Sequence, residues 1–164
     1  MRHSSNNTIT NNTANSNNDY GIHLLDADDN NITCNWVAHN TKSGFYLDDA
    51  GNMEYENTGN TIKDNNIMAN GESVGDSWHW NFYNDQSDDV TAENNYWGTD
   101  SSTIIAESIY DKNDDSSKGT GDFEPFKTDP APCAPIPELP TIILFSVGLL
   151  VLAGYVYAER RRRS

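Results

Sequence analysis

Arginine is almost missing from this chain of 164 residues: after Arg2 the next is Arg160. Lysine is scarce as well. Up to residue 140, 24 acidic residues face six basic ones (Arg2 and five lysines), a net charge of −18. That balance excludes a nucleic-acid partner, because phosphate contacts need clustered Lys and Arg. It suits a soluble exterior domain that at most holds cations loosely. With only Cys34 and Cys133, the chain has no disulfide framework. Cys34 alternates with Ile32 and is expected to face inward. A bond to Cys133 would need a fold-back of the chain, so unpaired thiols are expected. Proline is absent before Pro125, and all six prolines lie from there to Pro140. They make that stretch read as an extended, semi-rigid spacer.

What the chain does have is a repeat. Ile9-Thr10-Asn11-Asn12 returns as Ile32-Thr33-Cys34-Asn35, and Gly21-Ile22-His23-Leu24 returns as Gly44-Phe45-Tyr46-Leu47, both at an offset of 23. A period of this size marks a solenoid or propeller. A third copy begins at Ile62, at an offset of 30 from Ile32, with the surplus assigned to a loop around positions 50–57. A partial fourth copy is placed at Val90, a further offset of 28, and the apolar pair of the third unit at Trp78 and Trp80.

Each unit has apolar residues two apart, as in Ile22 and Leu24 or Phe45 and Leu47. Alternation puts them on one face of a short strand. Turn-forming Asn, Asp, Gly and Ser lie between the strands. Of 22 asparagines, 21 precede Gly98. Asparagine tolerates the left-handed conformation of tight corners, and stacked amides can bond from rung to rung. Asn12, Asn35 and Asn65 share one register and are candidates for such a ladder.

This pattern resembles the right-handed parallel β-helix of NosD-like and pectate-lyase-like proteins over residues 6–128. The string Asn94-Asn95-Tyr96-Trp97-Gly98, then Ile109-Tyr110-Asp111 and Phe123-Glu124-Pro125-Phe126, is similar to the terminal segment of NosD-like β-helices. The expected fold is all-β: a right-handed parallel β-helix of three to four coils over 1–98, and a capping segment over 99–128. In the cap, Ser102 is expected to start a short helix with Ile105 and Ile109 on one face, under cover of Phe123 and Phe126. No lid and no signal peptide precede the first coil. A C-terminal piece of a longer solenoid, or a partner over the open end, is therefore expected.

The C-terminus carries a second pattern. A proline-rich stalk (129–140) is followed by a run without charge, Thr141 to Ala158, and then by an Arg tail over 159–164. Counted from Leu139 the uncharged run is 20 residues, about 30 Å of helix, the thickness of a bilayer core. Arg160, Arg161, Arg162 and Arg163 would fix that end in the cytoplasm, with Tyr155 and Tyr157 near the boundary. A single transmembrane helix with an extracellular β-domain is expected, so the localisation is the cell membrane. Pro137-Glu138-Leu139-Pro140 with the span and the Arg cluster resembles the PEF-type sorting signals of archaeal surface proteins. That resemblance implies a sortase-like processing enzyme as partner. Leu139 stands where that family favours Phe, which leaves cleavage or retention open. Sequons stand at Asn6, Asn11 and Asn31.

For chemistry, the equivalent strands offer one exposed column. His23, Tyr46 and His79 each lie between two inward apolar residues and are expected to stack outward at about 4.8 Å. Such a strip would bind a sugar by stacking or a metal by imidazole; a plain solvated face is the alternative. Asp111, Asn113 and Asp115 alternate like a calcium loop, but Ser116 occupies the position that needs Gly. Asp26, Asp28, Asp29, Asp48 and Asp49 recur at corners and would at most hold calcium loosely. No cofactor is otherwise expected. Copper, implied by the NosD resemblance, finds no dense ligand cluster among four His and three Met.

No enzyme is expected. Polysaccharide lyases on this fold need a strong base, commonly Arg or Lys. The coils hold only Lys42 and Lys63, at different points of the repeat. A hydrolase needs two placed carboxylates about 5 to 9.5 Å apart, and nothing marks a pair. The sequence therefore reads as a membrane-anchored surface protein, structural or adhesive, with surface glycans or cations as contacts. The terminal part of a polysaccharide-active enzyme is the alternative.

Overall fold

The computed structural model describes residues 1–51 and 57–136. The chain winds as a parallel β-solenoid of about four turns. The first coil contributes β1 (Thr8–Thr10), β2 (Thr13–Asn15) and β3 (Tyr20–Leu25). The second contributes β4 (Asn31–Thr33), β5 (Trp36–Ala38) and β6 (Ser43–Asp48). The third holds β7 (Thr61–Lys63) and β8 (Asn66–Met68), then an antiparallel hairpin of β9 (Glu72–Val74) and β10 (Ser77–His79), then β11 (Phe82–Asp85). The last turn has β12 (Val90–Thr91), α1 (Ser102–Glu107), β13 (Ile109–Tyr110) and β14 (Gly121–Asp122). Equivalent strands stack into three parallel faces: β1-β4-β7, β2-β5-β8 and β3-β6-β11-β13.

The sequence period is the register itself. Ile9 pairs with Ile32, and Ile22 with Phe45. The next step is longer, Ile32 to Ile62, so the surplus falls between Asp48 and Asn57. Inward rows run Ile22–Phe45–Phe82–Ile109 and Ala14–Val37–Ile67, and Phe45 and Phe82 stack at 5.8 Å. Phe45, Phe82, Leu24, Leu47, Ile32, Ile62 and Ile67 are fully buried.

The corners share one device. A residue in the left-handed region precedes an asparagine that turns inward: Cys34 before Asn35, Asp64 before Asn65, Ala69 before Asn70. Left-handed backbone is unfavourable for most L-residues, and the asparagine amide offsets that cost. Asn12 Nδ2 donates to Asn35 Oδ1 (3.2 Å), Asn35 Nδ2 to Asn65 Oδ1 (3.0 Å), and Asn65 Nδ2 to Asn95 Oδ1 (3.1 Å). The expected ladder is present and one rung longer. Two more run beside it: Asn7–Asn30–Asn60 and Asn17–Asn40–Asn70–Asn81. The ladder asparagines are thus not the left-handed residues; those are their predecessors, at every rung but Asn81.

Several expectations need correcting. The third-unit strand is Phe82–Asp85, not the segment around Trp78 and Trp80, because the β9–β10 hairpin is inserted before it. The fourth copy starts at Ala92 rather than Val90: Asp64 and Asn65 bond to Asn94 and Asn95, which puts Ala92 in register with Ile62. Ser101, not Ser102, caps α1, accepting from the Ile104 amide. Cys34 sits at a corner with φ 58°, not inward, and is disulfide-bonded to Cys133. The fold-back that seemed to forbid that bond exists. Lys127 N donates to Asn95 O, Ala131 N donates to Asn66 Oδ1 at 2.7 Å, and Lys127 pairs with Asp64 at 3.0 Å. Ala131 and Ala134 are buried. The proline-rich segment is therefore strapped to the coils at least to Ala134 instead of standing off as a spacer. Ile105 and Ile109 do not share a helix face: α1 ends at Glu107, and Ile109 is buried from β13 beside Phe82. The expected cover is present, with Phe123 and Phe126 packed against the core and Phe123 edge-on to Trp97.

Candidate functional site

The long face β3-β6-β11-β13 carries the densest functional chemistry on its outer side. His23 and Tyr46 are register partners, as expected, and their rings lie 5.1 Å apart. His79 is not in that row. It ends β10 in the hairpin and stacks on Trp80 at 4.2 Å. Its place is taken by Tyr83, the register partner of Tyr46, and Tyr110 continues the row. Tyr20 joins from the neighbouring position and stacks on Tyr46 at 4.3 Å with planes 9° apart. Tyr83 and Tyr110 stack likewise at 4.1 Å and 12°. Between the two pairs the stacking breaks: Tyr46 and Tyr83 are 5.4 Å apart and tilted by 58°. Trp80 leans in edge-on at 6.2 Å from Tyr83 and 5.4 Å from Tyr110.

The sequence contains a signal for this strip that the two-apart apolar pattern overlooks. Phe45-Tyr46-Leu47-Asp48 recurs as Phe82-Tyr83-Asn84-Asp85, an aromatic pair followed two positions on by Asp. Tyr20 and Ser43 are register partners at the start of β3 and β6, and Trp80 reaches the strip from outside the strands.

A row of acids borders the aromatics. Asp48 and Asp85 are register partners. Tyr46 Oη donates to Asp85 Oδ2 at 2.7 Å, and Lys118 Nζ pairs with Asp85 Oδ1 and donates to its carbonyl. Burial first, then the bond to Asp85, push the Tyr46 phenol well above its ordinary range. Burial, then Tyr110, do the same for Tyr83. Burial pulls the Lys118 ammonium down, but Asp85 more than offsets this and leaves it raised. Asp48 Oδ1 accepts from Ala50 N, and His23 Nε2 lies 3.4 Å from Asp48 Oδ2 without hydrogen-bond geometry. Both carboxylates are thus committed to neighbours.

The other singled-out residues do local work. Asp111 accepts from Asn113 N and Gly121 N, and Asp115 from Ser117 N, so this acidic segment ties turns together. Asp28 accepts from Thr58 N, Asp49 from Gly51 N, Asp26 pairs with His3, and Asp29 N donates to Thr58 O. Asn6, Asn11 and Asn31 are all exposed. Pro137, Glu138, Leu139, Pro140, the apolar run and Arg160 to Arg163 lie outside the described residues. Among the described residues, no helix is long and apolar enough to cross a membrane.

A family model described as periplasmic copper-binding protein (NosD) matches residues 1–112. The chain belongs to the NosD family. No curated protein and no solved structure matches it. Copper, which the NosD description names, needs a cluster of imidazole, thiolate or thioether ligands. The residues here do not fit it. Both cysteines are committed to the disulfide. His23 and His79 are separated, His3 is held by Asp26, and His39 is an exposed corner residue. Among the described residues no group of three or more His, Cys, Asp or Glu is arranged to hold a metal ion. The same finding gives calcium no support at the acidic corners. As a NosD-family β-solenoid, the protein fits an extracellular or periplasmic setting, and the disulfide agrees with an oxidising compartment.

Proposed function

We propose that this protein is a non-catalytic surface component of a cell, with a structural or adhesive role. The uncharged run Thr141 to Ala158 anchors it, and the Arg tail holds that end in the cytoplasm. A PEF-like processing step at Pro137 to Pro140, carried out by a sortase-like enzyme of an archaeon, belongs to the same reading. Contacts are made by the outer faces of the solenoid, with surface glycans as partners. The observation that carries the reading is the aromatic strip on the long face. Tyr and Trp give rigid amphipathic contact area at low entropic cost, while the bordering carboxylates are occupied by Tyr46, Lys118 and Ala50.

Protease added to intact cells, followed by blotting with antibodies to each end, tests the placement. Loss of the solenoid epitope with retention of the Arg-tail fragment is expected. Full protection of the solenoid overturns the orientation.

A further inference from the structure

The break in the tyrosine stack coincides with a depression. Between the Tyr20–Tyr46 pair and Tyr83, with Trp80 on one side, lies a cavity of about 200 Å³ whose remaining lining is Lys42 and Ser43. Three observations make it a built site rather than a surface wrinkle. The rings are held in place: Trp80 is backed by His79 at 3° between planes, and Tyr46 is fixed by Asp85. Lys42 is tied to Asp19 at 2.7 Å while lying 5.1 Å over the Tyr20 ring, so its charge is already matched. And Ser43, 1% exposed, has an Oγ with no hydrogen-bond partner. A buried hydroxyl without a partner forfeits its solvation. A ligand hydroxyl entering the depression would restore it.

An aromatic wall with a single unsatisfied hydroxyl suits a molecule that has an apolar face and hydroxyls at its edge. A pyranose ring is that molecule. The charge around the depression selects among sugars. Asp48 and Asp85 act on the Tyr46 phenol, on a chain with net charge −15, so a uronate or sulfated sugar approaches against an unfavourable field. We infer that the depression between Tyr46, Trp80 and Tyr83 is a glycan subsite for an uncharged pyranose, with Ser43 as its polar floor. The inference rests on the adhesive reading and adds to it the place and the sugar class.

The test is titration of the detergent-solubilised full chain, read by tryptophan fluorescence and calorimetry. The probes are a neutral β-1,4-linked glucose hexasaccharide and a galacturonate hexasaccharide. The neutral chain is expected to bind, and the uronate to bind at least about tenfold more weakly at low salt, narrowing as salt screens the field. Trp80→Ala should weaken neutral binding about tenfold or more. Ser43→Ala should weaken it about three- to tenfold with the melting temperature unchanged, since only an unpartnered hydroxyl is lost. That second variant keeps the test sound if Trp80→Ala unfolds. Equal affinity for the two hexasaccharides, no binding of the neutral one, or full affinity in a folded Ser43→Ala protein would overturn the subsite. Retention of the wild-type chain on beads bearing whole cell-envelope polysaccharide is scored separately. Retention there with no hexasaccharide binding sinks the subsite and leaves the adhesive reading standing; loss of both sinks both.

Discussion

The Asn35 side chain donates to Asn65 Oδ1 at 3.0 Å, and the same oxygen accepts the Asn35 backbone N–H at 3.0 Å. One acceptor thus satisfies two donors from the coil before it. The Asn65 Nδ2 in turn serves Ile32 O, Lys63 O and Asn95 Oδ1. A buried amide used this fully is costly to alter, because each severed partner is left dry. Asn65→Ala should lower stability by about 2 to 4 kcal/mol in urea denaturation. Asn65→Asp should do at least as much harm at neutral pH, since a carboxylate cannot donate to the three oxygens around it. Losses for both variants no larger than those of ordinary surface substitutions, within about 0.5 kcal/mol, would mean that the ladder is ornamental.

The disulfide closes a loop with a sequence separation of 99. On the chain-entropy account such a loop is worth about 4.7 kcal/mol at most. Cys133→Ser should therefore lower the unfolding free energy by about 2 to 4 kcal/mol. It should also make the strap around residues 127–134 an early site of limited proteolysis. Identical digestion patterns for the variant and the oxidised parent would show that Lys127 and Ala131 hold the strap unaided.

Register is tested by a pair of substitutions. Phe82 is fully buried and Trp78 half-buried in the hairpin. Phe82→Ala should cost about 3 to 5 kcal/mol, and Trp78→Ala clearly less. His79→Ser, in the hairpin rather than in the tyrosine row, should cost under about 0.5 to 1 kcal/mol. The reverse order would restore Trp78 to the core.

Alkaline pH offers another handle. Tyr46 and Tyr83 both have folded-state values raised from an ordinary value near 10. Below pH 10 neither state ionises, and the contribution is fully present. Above it the unfolded phenols lose protons while the folded ones keep theirs, so stability falls as pH rises. The melting temperature should decline from about pH 10 upward. The Tyr46→Phe, Tyr83→Phe double variant should decline less over the same interval, as followed by calorimetric scans.

Much of this architecture was legible because stacking turns sequence period into spatial register. Ile9 with Ile32 and Ile22 with Phe45 needed only the offset of 23. The Asn12–Asn35–Asn65 ladder followed from the same reasoning. Its two companions were within reach too, since each coil spaces its ladder asparagines five apart: Asn30, Asn35, Asn40, then Asn60, Asn65, Asn70. Two things were hidden. The hairpin at Glu72–His79 imitates a coil strand by alternating Trp78 with Trp80, and only pairing partners distinguish it. The Cys34–Cys133 bond depends on residues 127–134 folding back over Asp64 and Asn66, a long-range docking with no periodic trace. The site divides the same way. His23 and Tyr46 were found by repeat position; Tyr20 and the buried Ser43 share a repeat position too but carry no common side-chain type, and Trp80 comes to the site from outside the repeat.

The cross-link also settles how the molecule bears tension. A pull applied at Cys133 from its C-terminal side passes through sulfur to Cys34 in the second coil. For a load gripped at Tyr46, the short arm of the disulfide loop runs from Tyr46 back to Cys34, and the long arm, which includes β13, β14 and the helix α1, stays slack. Such a grip would load the second coil against its amide ladders and leave the terminal cap out of series. Reduction would redirect the same pull through the cap, which would peel first.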